Sequence, residues 1–264
     1  MDNVKVPFTL SHAAAALPFR RCRLVPSALV IGTFAPDFEY FLRLSPSGRF
    51  GHTLTGSFVL TLPVALLVLW IYHAFVKWPT AMLLPQALQS RLQDQLHPFR
   101  FGGALRFLSI IASILVGVAT HLLWDSFTHA DTWPYRHWLV LRQLFSVPII
   151  GPRPLYKILQ HGSTIAGIVI LSAWLVHWYR ATQPSELPEK VRSSKWKSVV
   201  IAGVMTVAFV GAVLRAVAGI HGPTGHFSFN QFVAQAVVTA MALVWWQLVL
   251  YGFVATSSVR QRQL

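Results

Sequence analysis

Five apolar runs constrain this chain more than any other feature: Phe58–Val76, Phe107–Trp124, Ser163–Trp178, Val199–Ile220 and Phe232–Thr256. About 20 apolar residues of α-helix cross the hydrocarbon core of a bilayer. Backbone inside lipid must satisfy its own hydrogen bonds, so runs of this length read as helices. Only 11% of the 264 residues are charged, with a mean hydropathy of +0.53; soluble domains carry about 25% charged residues. The expected fold is therefore all-α, a polytopic helical membrane protein with about five spans.

The chain reads as a single integral membrane domain over 1–264 in three parts. Residues 1–57 carry short helices, 58–179 hold spans one to three, and 180–264 hold a charged linker and spans four and five. Ser11-His12 opens a short helix with Ser11 as its N-cap and Pro18 as its stop. Pro26–Asp37 is apolar but too short to span, and reads as a re-entrant or core helix. Pro63 is expected to bend span one. The Pro-rich stretch 126–160 reads as an interfacial cap. No internal repeat is visible. Met1–Phe8 lacks the charged start and apolar core of a cleavable signal peptide.

A formal charge of +14 comes from 22 Lys and Arg against eight acids. The basic residues fall mainly between the apolar runs, which points to anionic headgroups and away from nucleic acid. Ten lie on one side of the expected topology and eleven on the other, so charge bias alone leaves orientation open. The basic linker 180–197 and tail favour a cytoplasmic C-terminus.

Span two ends in His121-Leu-Leu-Trp-Asp125-Ser-Phe-Thr-His129. Residues four apart share a helix face, so two imidazoles and a carboxylate line up there. Ionisable groups at membrane depth are costly and mark function; the bland alternative is a helix end whose His and Asp sit in water. One ion cannot take all three from a straight helix, because eight residues rise about 12 Å. Either the helix ends near Asp125 or two metals lie side by side. Five crossings also bring His12, Asp37, His52, His161, His221 and His226 to the same side, with His73, His97 and His177 opposite.

His nitrogen and carboxylate oxygen are zinc ligands. His12, Asp37, His52, His121, Asp125, His129 and His161 suffice for one or two zinc ions, or another divalent metal. A bound metal lowers the pKa of its water and stabilises the oxygens of a phosphate ester. Asp37, Glu39 and Asp125 are the candidate catalytic carboxylates, with Glu39 and Asp131 either hydrogen-bonding the metal ligands or serving as a general base. Arg20, Arg21 and Arg23 are candidates for holding an anionic headgroup. The sole cysteine, Cys22, excludes an internal disulfide.

Pro7-Phe-Thr-Leu-Ser-His12, Ala35-Pro-Asp37-Phe-Glu39-Tyr-Phe, Gly51-His52-Thr, the His121–His129 motif and Leu159-Gln-His161-Gly-Ser-Thr together resemble a bacterial integral membrane family catalogued as domain of unknown function 4184. The resemblance implies a bacterial inner-membrane protein and brings no activity. The motif order is also similar to the membrane-bound metal-dependent hydrolases and, more distantly, to the zinc-dependent phospholipase C and S1/P1 nuclease group. That likeness implies the same seven ligands. It departs at the N-terminus, where the group has a ligating tryptophan, and at Ile165, where the group has Glu. The resulting expectation is a membrane-embedded, zinc-dependent hydrolase of a phosphoester or other lipid-linked substrate, its site on the outer face. The alternatives are a metal-handling transporter or a scaffold with a structural metal.

Overall fold

The computed structural model describes residues 9–46, 48–186, 194–220 and 228–261; His221 and His226 lie outside them. A 3₁₀ helix, Thr9–Arg21, leads into α1 (Pro26–Phe34), a 3₁₀ turn (Ala35–Asp37) and α2 (Phe38–Arg43). Helix α3 (Leu54–Leu83) is the first of five helices long and apolar enough to cross a membrane. A short α4 (Gln86–Leu92) precedes α5 (Ala104–Thr128), and α6 (Trp133–His137) follows it. The antiparallel strands β1 (Leu144–Val147) and β2 (Gly151–Pro154) lead into α7 (Leu155–Ala181). Helices α8 (Ser194–Ile220) and α9 (Phe229–Gln261) complete the chain. The five spans match the apolar runs.

Helix α5 is the axis of the N-terminal half. Its buried residues Ile110, Ser113, Ile114, Gly117, Val118 and His121 recur at three- and four-residue steps and so form one stripe. Helix α1 lies along that stripe in parallel. Val25 N–H donates to Ser113 Oγ at 2.8 Å at its lower end, and Thr33 O meets the His121 ring at 2.8 Å at its upper end. Glycine permits the contact. A Cβ on Gly32 would lie 2.3 Å from Ile114 O, and one on Gly117 2.4 Å from Leu29 O. Small residues allow such close backbone approach within a bilayer. Pro26, in the first turn of α1, needs no N–H partner there.

The N-terminal 3₁₀ helix runs down as α1 runs up. His12 sits beside Asp125, whereas Arg23 lines a cavity with Leu105 and Arg106 at the other end of α5. The pair therefore forms a re-entrant hairpin that passes most of the way along α5 and returns. Pro18 was expected to stop the first limb; the 3₁₀ helix continues through it to Arg21. A missing donor removes one hydrogen bond from the ladder and leaves the others.

Pro63 follows a π-helical turn, Ser57–Thr61, which widens α3 where the proline has no donor. The connection 126–160 is structured. Helix α5 continues to Thr128, and a β-hairpin, absent from the all-α expectation, precedes α7. Helix α9 packs on α3 so closely that a Cβ at Gly252 would fall 1.7 Å from Phe75 O.

Candidate metal centre

His121 ends the buried stripe of α5 and is fully enclosed, at 0% exposure. Its Nδ1 lies 2.8 Å from Thr33 O, a carbonyl that only accepts, so Nδ1 carries the proton. Nε2 is buried and has no hydrogen-bond partner. This is how a metal-ligating histidine is oriented by its other nitrogen.

Three segments meet that nitrogen. The 3₁₀ turn after α1 brings Asp37, the Phe50–His52 turn before α3 brings His52, and the next turn of α5 brings Asp125. His121 Nε2 lies 3.7 Å from Asp37 Oδ1 and 3.3 Å from Asp125 Oδ2. His52 Nε2 lies 3.3 and 3.6 Å from the same two oxygens. Charge-assisted hydrogen bonds run about 2.7–2.9 Å, so these separations are long for paired ions. A tetrahedral ion with ligand bonds near 2.0–2.1 Å places its donors about 3.3 Å apart. Four of the six edges of such a tetrahedron, those from nitrogen to oxygen, are thus present at 3.3–3.7 Å. The buried His52 Nδ1 is a second polar atom without a partner.

His12 approaches the other side of Asp125, with Nε2 3.6 Å from Oδ1, and stacks on the His121 ring at 4.1 Å. His12, His121 and Asp125 each offer an atom within 4.8 Å of the others, as do Asp37, His52 and His121. A single Nε2 lone pair serves one ion. With His121 in the four-donor set, His12 and Asp125 Oδ1 form a second, open half-site at the rim, where side chains are about 15% exposed.

Helix α5 ends after Thr128, and His129 has extended backbone. That end lies one turn beyond Asp125, the position expected from the rise of a straight helix. The turn of chain brings His129 Nδ1 back to 3.6 Å from Asp125 Oδ2. Its role follows from proton bookkeeping. The Lys157 ammonium only donates, to Gln160 Oε1 at 2.8 Å, so Gln160 presents its NH₂ to His129 Nε2 at 3.3 Å. His129 Nε2 therefore accepts, and the proton on Nδ1 is donated to the Asp125 backbone carbonyl at 3.3 Å, beside the Asp125 carboxylate. His129 sits as a partner of a ligand, not in either ligand trio.

Burial and the clustered charges shift these groups in opposite directions. Burial is the largest cause that pushes the His12 imidazole down to about 4, so its ring is neutral at neutral pH. Burial opposes charge on Asp37 too, but His121 and His52 outweigh it and leave the carboxyl below its ordinary value. For His52 burial is outweighed by Asp125 and Asp37, and the imidazole is held above its ordinary value. Burial and then the carboxylates of Asp37, Asp125 and Glu39 push the Tyr40 hydroxyl up, so it stays protonated.

The other sequence candidates lie elsewhere. His161 is exposed: α7 packs on the 3₁₀ helix through Gly167 and Ser11, and position 161 is rotated well away from that face. Gln160, one residue earlier, reaches the centre instead. Glu39 accepts from Gly51 N–H at 3.2 Å and pairs with Arg43 at 2.9 Å, so it braces the loop that carries His52. Asp131 occupies a turn after α5 with φ 68° and is exposed. Arg23 lies beside Arg106, 19 residues before Asp125 and so about 28 Å away along α5. Arg20 and Arg21 end the same descending limb. None of the three arginines reaches the centre, because the hairpin carries them to the far end of the bundle. Thr33, Tyr40 and Gln160 went unrecognised in the sequence, although each adjoins or closely precedes a predicted ligand.

The sequence model described as "Domain of unknown function (DUF4184)" matches residues 6–253. The chain belongs to this family. No curated protein and no solved structure matches it. The more distant likeness to membrane-bound hydrolases and to the phospholipase C and S1/P1 nuclease group finds no support in these comparisons. What the family's centre does must be argued from its own atoms.

Proposed function

We propose that this protein is a membrane-embedded, zinc-dependent hydrolase of a phosphoester or another lipid-linked substrate. The observation that carries the reading is the set of four His nitrogen to carboxylate oxygen distances, 3.3–3.7 Å, around the buried, unpartnered Nε2 of His121. Nitrogen and carboxylate oxygen at tetrahedral spacing favour zinc over magnesium or calcium, which prefer more oxygen ligands. A zinc ion there would supply a Lewis acid and would lower the pKa of a water bound to it. His52, His121, Asp37 and Asp125 would hold the ion, with His129 beside the Asp125 carboxylate. Neutral His12 stands at the open rim, where a second ion or the substrate's anionic group is received. Lys157 and Arg153, on the metal face, replace Arg20, Arg21 and Arg23 as cations for an anionic head. A rim at the end of the spans, where His12 and Asp125 are about 15% exposed, suits an amphiphilic substrate.

The re-entrant hairpin bears on orientation. Arg20, Arg21 and Arg23 join Lys77, Arg91, Arg100, Arg106, Arg180, Lys195 and Lys197 on the face opposite the metal. Basic residues mark the cytoplasmic side. The proposed setting is a bacterial cytoplasmic membrane with the metal centre outward.

A second reading, a structural metal in a non-catalytic scaffold, is favoured by one observation: four protein donors already fill a tetrahedron, as in closed zinc sites. Elemental analysis of purified protein, followed by assay on phospholipids and lipid pyrophosphates, separates the two. One or two zinc ions per chain, lost in Asp125→Ala together with turnover, supports the hydrolase. Bound zinc without turnover on any substrate supports the scaffold. Protein that binds no divalent ion overturns both.

A further inference from the structure

At the end of the bundle opposite the metal centre, a cavity of about 380 Å³ lies between the tip of the re-entrant hairpin and the start of α5. Arg23 lines it from the hairpin, and Arg106 and Ser109 line it from α5. Leu24 and Leu105 supply an apolar wall. No acidic residue lines it, and neither arginine forms an ion pair among the described residues. Cavities of this size, apolar with a few convergent polar groups, are typical of ligand sites.

Arg106 is held in place. Its Nε donates to Arg100 O at 3.0 Å, and its guanidinium carbon lies 5.5 Å from the centre of the Phe99 ring. Gly102, with φ +71°, makes room: a Cβ there would lie 2.8 Å from Arg106 Cδ. With Nε bonded and the plane fixed, the two terminal nitrogens remain as a fork suited to two oxygens of one anion. A second arginine, Arg23, comes from a separate element and lines the same cavity.

We propose that this cavity is a binding site for a phosphate group bearing net negative charge, supplied by the headgroup of an anionic phospholipid. The paired arginines take the phosphate oxygens, Arg106 bidentately. Leu24 and Leu105 face the first carbons of the acyl chains. The height of the cavity along α5, about 28 Å from Asp125, puts it at the opposite membrane surface. Occupation clamps the hairpin tip to α5, and so braces the same hairpin that delivers His12 and Asp37 to the metal. The site is independent of what the metal centre does.

The test is native mass spectrometry of the full chain in detergent, titrated with phosphatidylglycerol, phosphatidylcholine or inorganic phosphate. Phosphatidylglycerol should be retained about tenfold more strongly than the zwitterionic lipid. Arg23→Gln and Arg106→Gln should each remove most of that preference, whereas Arg180→Gln, an exposed arginine elsewhere on the same face, should not. Inorganic phosphate that competes for the Arg106-dependent site confirms the anion chemistry. Phosphate that binds where the lipid does not assigns the site to a free anion and overturns the lipid source. Equal retention of both lipids, or equal losses in Arg180→Gln and Arg106→Gln, overturns the proposal. Should Arg106→Gln fail to fold, Arg106→Lys keeps the charge but loses the fork, and is expected to bind severalfold more weakly.

Discussion

His121 shows how one side chain is committed by its surroundings. Thr33 O fixes the proton on Nδ1, and the ring is too enclosed for water to satisfy Nε2. Asp125 is the shared oxygen donor, so Asp125→Asn, which keeps shape and removes charge, should abolish stoichiometric zinc binding measured by elemental analysis. The Lys157–Gln160–His129 relay acts one step further out. Partners of metal ligands are worth about 10–100-fold in affinity. Gln160→Leu should therefore retain zinc at saturation yet bind it at least about tenfold more weakly in chelator competition. His161→Ala, one residue away but on the exposed face, should bind like the wild type; equal losses in the two would sink the relay. Much of this centre was legible in the sequence. In a chain so poor in acids, Asp37 and Asp125 flanked by histidines have few bland explanations. The carbonyl of Thr33 and the amide of Gln160 were not legible, because their part depends on which helices pack together.

At the scale of elements, the parallel run of α1 along α5 builds the centre, and it depends on glycine. Leucine at 117 would drive a side chain into the α1 backbone, with Leu29 O already 2.4 Å from a Cβ. Overpacking of this kind costs about 1–3 kcal/mol. Gly117→Leu should lower thermal stability and lose zinc, because Asp37 and His12 ride on the displaced hairpin. Gly252→Ala offers the contrast. It wedges α9 from α3 against Phe75 O and should lower stability while zinc stays bound. Zinc loss in both would mean that general destabilisation, not hairpin position, governs the centre. The spans were readable because lipid forces twenty-residue apolar helices. The descending 3₁₀ limb was not: Ala13–Ala16 and Pro18 carry no period that distinguishes a limb inside the bundle from an interfacial helix. That gap placed Arg20, Arg21 and Arg23 on the wrong face. The β-hairpin escaped for a related reason, since Pro148, Pro152 and Pro154 read as loop residues.

For the whole molecule, the folded hairpin makes orientation testable with the chain's own chemistry. Cys22 is the sole cysteine, is exposed, and sits at the hairpin tip beside Arg23. It therefore reports the face opposite the metal centre. The excess of basic residues at that end predicts that it faces the cytoplasm. A membrane-impermeant maleimide should leave Cys22 unmodified in intact cells and label it in inverted vesicles. In a Cys22→Ser background, His161→Cys at the metal face should show the reverse. Both cysteines labelling from one side would contradict a hairpin that reaches across the bundle, whatever the orientation. Opposite labelling with the signs exchanged would keep the fold and turn the candidate metal centre toward the cytoplasm. The two variants thus separate the architecture, which fixes the distance between the ends, from the charge distribution, which decides how the bundle sits in its membrane.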